Sequence, residues 1–115
     1  MSNYLFSQTP VEVRIIETKF RTIKTKIPAQ SSLATFAQLN KYESRSMHGQ
    51  LPIVWEKAVD STIFDSEGNR WIDFTSTIFV ANVGHANPLV SERVKAIIDS
   101  QLIASYAYST EIRSE

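Results

Sequence analysis

The sequence predicts a small α+β fold: an N-terminal arm and a helix, a three-stranded antiparallel meander, then a second helix. Three observations carry this expectation. Short apolar segments punctuated by a turn glycine fill residues 53–74. A serine pair precedes apolar residues at helical spacing, Leu33, Phe36 and Leu39. A proline opens a second apolar stripe at Val90, Val94, Ile97, Ile98 and Leu102.

Residues 1–30 read as an arm. Val11, Val13 and Ile15 alternate with Glu12 and Arg14, which suits a short strand, and residues 22–27 alternate more loosely. Pro28 closes the arm. Ser31 or Ser32 can cap a helix over about residues 32–44, because a hydroxyl there accepts from a free amide of the first turn. A loop over residues 45–51 contains Gly49 and ends at Pro52. Ile53-Val54-Trp55 with Val59 frames the first strand of the meander, residues 62–65 the second and residues 70–74 the third. Gly68 lies in the connection between the last two, where a tight hairpin needs positive φ. Residues 75–87 form an apolar loop of small residues. Pro88 suits the first turn of a helix, since its missing N–H is not needed there, and the apolar stripe carries that helix over about residues 88–101. The tail has Tyr106 and Tyr108 but no capping or turn chemistry. Such a segment leaves sheet edges and one face unpaired, so it is expected to be marginal by itself.

Composition narrows the function classes. The chain has 115 residues, no cysteine and a formal net charge of zero. A disulfide framework and thiolate metal sites are excluded, and nothing global points to nucleic acid or an anionic membrane as partner. The arm carries five basic and two acidic residues, a net of +3, and the remainder a net of −3. An arm that binds RNA or lipid is conceivable; a solvated arm docking on an acidic neighbour is the favoured reading. No apolar run approaches the ~20 residues of a membrane span, and the N-terminus lacks the basic and apolar regions of a secretory signal. The cytoplasm is the expected location.

Isolated chemical motifs are few. The three glycines, Gly49, Gly68 and Gly84, are too far apart for a phosphate cradle. His48 and His85 lack metal-ligand spacing and are expected to be hydrogen-bonded structural residues. Asp60, Asp65 and Asp73 could meet across the meander, but turn and strand-end aspartates usually bond backbone amides. All six lysines fall in polar surroundings, whereas a Schiff-base lysine needs a desolvated pocket.

One constellation is specific. Asp65-Ser66-Glu67-Gly68-Asn69-Arg70-Trp71-Ile72-Asp73-Phe74, followed by Asn82-x-Gly84-His85-x-x-Pro88, resembles the N-terminal signature of class III aminotransferases. Residues 51–58 also match that family, and residues 28–46 match more weakly; the similarity covers roughly residues 25–108. The resemblance implies a fold-type I enzyme that uses pyridoxal 5'-phosphate to move an amino group from an amine or ω-amino acid, such as 4-aminobutyrate, to a 2-oxo acid. It implies a homodimeric parent in which residues 31–115 form part of the small domain. It also places Ile78 on the family's substrate-contacting position, with Phe79 and Val80 beside it. Thr77 stands where glycine is common; a β-branched residue resists positive φ, so a departure of the loop's path is expected there. The family's phosphate-binding turn, pyridine-pairing aspartate and Schiff-base lysine come later in such chains and have no counterpart here. No cofactor is therefore expected to bind this chain alone. A binding or regulatory module, or a functionless truncated product, is the alternative.

Overall fold

The structure is a computed structural model that describes residues 4–104 and 107–114. Tyr106 and residues 1–3 lie outside the described residues.

The meander is present: β3 (Lys57–Val59), β4 (Thr62–Phe64) and β5 (Arg70–Ile72) pair antiparallel in sequence order. Each strand is three residues long, shorter than its apolar pattern. Ile53 to Trp55 lie before β3 and make no ladder. The β3–β4 connection is the pair Asp60-Ser61, with Asp60 at φ +50, a conformation that aspartate tolerates in two-residue hairpins. The β4–β5 connection turns at Gly68, φ +79, as the sequence predicts.

The sheet has five strands rather than three. β1 (Ile16–Glu17) and β2 (Thr22–Ile23) form a hairpin, and Thr22 pairs with Arg70, giving the order β1-β2-β5-β4-β3. The hairpin is closed by Thr18, whose Oγ1 accepts from the amides of Phe20 and Arg21. Arg70 reaches across to donate to the carbonyls of Thr18 and Lys19. The alternation at Val11, Val13 and Ile15 gives only an isolated bridge, Val11 to Ile27. Alternation alone could not show which of these short segments would find a partner edge.

A further link between the first thirty residues and the meander is Asn69, which is fully buried. Its Oδ1 accepts from the amides of Lys24 and Thr25, and its Nδ2 donates to Thr25 Oγ1 and Asp65 Oδ2. Asp65, also buried, accepts in turn from the amides of Glu67 and Asn69. One turn of sequence thus satisfies its own backbone and that of the segment just past β2, more than forty positions away.

α1 (Ser32–Tyr42) buries Phe36 and ends two residues earlier than its pattern. The expected serine cap is absent. Ser31 already has helical φ/ψ and makes no side-chain cap bond; its hydroxyl meets that of Ser66, and its amide donates to Glu67. The helix is entered instead through a tight turn, in which the amides of Ser32 and Leu33 donate to the carbonyls of Ala29 and Gln30. His48 is buried beneath Tyr4, the two rings stacked with centroids 4.2 Å apart, and Tyr4 also meets the edge of Phe36. The hydrogen bond expected of His48 is absent: neither ring nitrogen has a partner among the described residues, and Glu43 Oε2 stands 3.8 Å from Nε2.

α3 (Pro88–Asp99) stops short of Gln101 and buries none of its residues. Val90, Val94 and Ile98 are each about half-exposed. The radius of gyration is 17.6 Å, against roughly 13 Å for a compact chain of about 100 residues. Among the described residues no helix is long and apolar enough to cross a membrane.

Asn69→Ala leaves two amides, a hydroxyl and a carboxylate oxygen without their buried partner. It is expected to destabilise the chain by about 2–3 kcal/mol, read as a lower midpoint in urea unfolding.

Candidate functional site

The site grows from the end of β5. Strand pairing stops at Ile72, and the Asp73 amide donates to Ser61 carbonyl, which fixes the residue just past the end of this central strand. Its side chain is only 4% exposed. Oδ1 accepts from the Thr75 amide and hydroxyl at 3.0 and 2.9 Å; Oδ2 accepts from the Thr77 amide at 2.9 Å. His85 Nε2 lies 2.7 Å from Oδ2. An ionised carboxylate can only accept, so Nε2 carries the proton of that bond. Burial alone would raise the Asp73 pKa. The hydrogen bonds from His85, from the Thr75 hydroxyl and from the two amides outweigh burial and lower it from 3.8 to about 2.

This carboxylate closes over a turn of unusual hand. Ser76, Thr77, Ile78 and Phe79 take φ of +48, +52, +59 and +68, one left-handed helical turn, α2 (Ser76–Phe79). The amides of Phe79 and Val80 donate to the carbonyls of Thr75 and Ser76. Each L-residue held there costs roughly 1–2 kcal/mol, most of all when β-branched as Thr77 and Ile78 are. Hydrogen bonds to a charged group contribute about 1.5–3 kcal/mol each, so the bonds converging on Asp73 are of the right size to hold the turn. Thr77 therefore adopts the positive φ that its side chain resists, and residues 75–87 contain one element where the sequence predicts only loop.

The far end of the loop returns to the same place. His85 exchanges both backbone hydrogen bonds with Asp60, at 2.9 and 2.7 Å, and the rings of His85 and Trp55 meet edge to face, centroids 5.6 Å apart. Gly84 makes this approach possible. Its φ is +88, and a Cβ there would stand 3.2 Å from the Asp60 Cα. Asn87 then caps α3, accepting from the amides of Leu89 and Val90 while its Nδ2 donates to the Val83 carbonyl; Pro88 is the first helical residue.

Two cavities flank the turn. A polar cleft of about 330 Å³ lies between Asp60, Ser61, Asp73, Ser76, Asn82 and His85. An apolar groove of about 790 Å³ lies on the other side, walled by Leu51, Ile53, Trp55, Trp71, Phe74 and Ile78 among others. Ile78 is 65% exposed at the edge of this groove. Phe79 is 77% exposed and lines neither cavity. The motif residues divide accordingly: Asp73, Asn82, Gly84 and His85 gather at the cleft, Phe74 lies along the groove, Pro88 starts α3, and Asp65 and Gly68 shape the distant β4–β5 turn. Asp65 and Asp73 are both committed to backbone amides rather than paired with each other. The sequence reading missed Asn69, Asp60 as a backbone partner and the Trp55 edge on His85. Only Asp60 left a signal, an aspartate between two strand patterns.

Residues for a covalent cofactor are not gathered here. All six lysines are exposed, which is not the desolvated setting an imine-forming amine needs. The two positive-φ glycines serve a hairpin and a close backbone approach rather than a phosphate cradle. The described residues thus offer pyridoxal phosphate neither a desolvated amine nor a glycine cradle, and do not fit it. Among the described residues no group of three or more His, Asp or Glu could hold a metal ion.

Comparison with known proteins gives the class. The family model "Aminotransferase class-III" matches residues 43–113. Mitochondrial ornithine aminotransferase of Rattus norvegicus is 29% identical over 98 residues, which is 85% of this chain and 22% of that protein. The acetylornithine aminotransferase of Methanocaldococcus jannaschii is 30% identical over 79 residues, 69% of this chain and 20% of its own. The 4-aminobutyrate aminotransferase of Mycobacterium leprae is 36% identical over 76 residues, 66% of this chain and 17% of its own. The chain belongs to the class III aminotransferase family, and it spans about a fifth of the length of these relatives.

Two outcomes follow from this geometry. Gly84→Ala is expected to destabilise the chain by more than the ~1 kcal/mol that a positive φ alone costs, whereas Gly68→Ala, with open space around it, costs about that amount; paired urea titrations separate the two. The lowered Asp73 pKa makes its contribution complete above pH 3.8 and lost as pH falls through about 2. Tryptophan fluorescence during acid titration is expected to show that loss in the unchanged chain and not in Asp73→Asn.

Proposed function

We propose that this chain is part of the small domain of a fold-type I, pyridoxal phosphate-dependent aminotransferase. Residues 31–115 form the partial domain, and residues 1–30 are the N-terminal arm that adds strands to its sheet. The parent moves an amino group from an amine or ω-amino acid of the 4-aminobutyrate kind to a 2-oxo acid, works in the cytoplasm and is a homodimer. This segment supplies the loop that faces the substrate, with Ile78 and Phe79 on it, together with contacts to the second subunit. The covalent chemistry and the cofactor's own residues lie elsewhere in the parent, and the segment has no activity alone.

One observation carries this reading. Ile78 stands 65% exposed on a left-handed turn, at the edge of an apolar groove. Backbone strain held in place by surrounding structure is concentrated at functional sites. An aliphatic side chain displayed there suits the methylene chain of an amino acid. The exposed faces of Phe79, Val80 and α3 also support a second surface covering them in the parent.

In the parent enzyme, Ile78→Asp is expected to raise KM for the amino donor about tenfold or more while kcat changes less, since a carboxylate replaces an apolar contact made in ground and transition states alike. An unchanged KM would refute the substrate-facing role.

A further inference from the structure

We infer that Asp73 and His85 are positioning residues for the substrate-facing turn: together they hold Ser76–Phe79 left-handed and so set where Ile78 stands. The inference rests on the reading of Ile78 given above and names the residues through which its placement is achieved.

Phe79 and Val80 are exposed by 77% and 79%, so apolar packing does not hold the turn. Its internal hydrogen bonds join only residues 75–81 and would not tie it to the sheet. What reaches it from outside is the Asp73 carboxylate, which accepts from the amides of Thr75 and Thr77, the first on the approach to the turn and the second inside it, and His85 Nε2, 3.4 Å from Thr77 Oγ1. A carboxylate that bridges those two amides constrains the backbone between them. Asp73 is fixed by its own amide on Ser61 carbonyl. His85 is fixed by its backbone pair with Asp60 and by the edge of Trp55. Its Nε2 donates to Asp73 Oδ2 and also lies 3.4 Å from Thr77 Oγ1, so it meets the carboxylate and the turn together. Both residues thus hang from the β3–β4 hairpin, and neither needs to touch substrate.

The test uses nuclear magnetic resonance on the full chain. Positive φ brings the amide proton and Hα of one residue close together, so Thr77 and Ile78 are expected to give strong intraresidue cross-peaks in the unchanged chain. Asp73→Asn and His85→Leu are expected to lose them while the cross-strand contacts of Ile63 and Trp71 persist. His85→Gln, whose side-chain amide can donate from near the Nε2 position, is expected to keep them. Should Asp73→Asn unfold the whole sheet, the His85 pair decides: identical cross-peaks in His85→Leu and His85→Gln overturn the inference. Persistence of the cross-peaks in Asp73→Asn also overturns it. In the parent enzyme, His85→Leu is expected to raise KM for the amino donor about tenfold and His85→Gln to restore it. A turn lost in the spectra with KM unchanged would refute the substrate-facing reading and leave the positioning of the turn standing.

Discussion

The Asp73 carboxylate accepts hydrogen bonds from Thr75 on the approach to a left-handed turn, from Thr77 within it and from a histidine twelve residues away. Every part of the loop depends on it. The sheet holds Asp73 at the end of its central strand, the two threonine amides turn the chain back over the carboxylate, and His85 closes the circuit through Asp60. Because the group is shielded from water, those bonds are not diluted by solvent, and their loss would leave a buried charge without partners. The geometry is therefore held by one ionised side chain rather than by an apolar core.

The same device appears at the other end of β5. Asp65 accepts from the amides of its own turn and from Asn69, which in turn holds the backbone of Lys24 and Thr25. Two aspartates eight positions apart thus organise the two ends of one hairpin. They differ in what they control. Asp65 and Asn69 attach the first strands to the sheet, whereas Asp73 and His85 shape the only stretch where four consecutive residues have positive φ among those described. Elsewhere among the described residues positive φ at non-glycine positions occurs singly, at Asp60, Ala86 and Gln101.

Few residues are buried, and α3 contributes none of them. The apolar stripe at Val90, Val94 and Ile98 is half-exposed, and Phe74, Phe79 and Val80 are more exposed still. Soluble chains seldom leave so much contiguous apolar surface uncovered. The chain spans about a fifth of the length of these relatives.

The sequence by itself determined the elements whose signals are local. Gly68 in the β4–β5 turn, Pro88 at the start of α3, the three meander strands and the family motif were all legible, because a turn glycine, a first-turn proline and short apolar runs act within a few residues. The tertiary structure decided the rest. It paired β2 with β5 through Thr22 and Arg70 and made five strands of an expected three, because edge pairing depends on which segment arrives there. It replaced the expected Ser31 cap with a preceding turn and gave the Ser31 hydroxyl to Ser66. Above all it forced Thr77 and Ile78 into a conformation that their side chains oppose. No local propensity could announce that; it follows from a carboxylate four positions back and a histidine eight positions on from Thr77, which only the folded chain brings within 3 Å of each other.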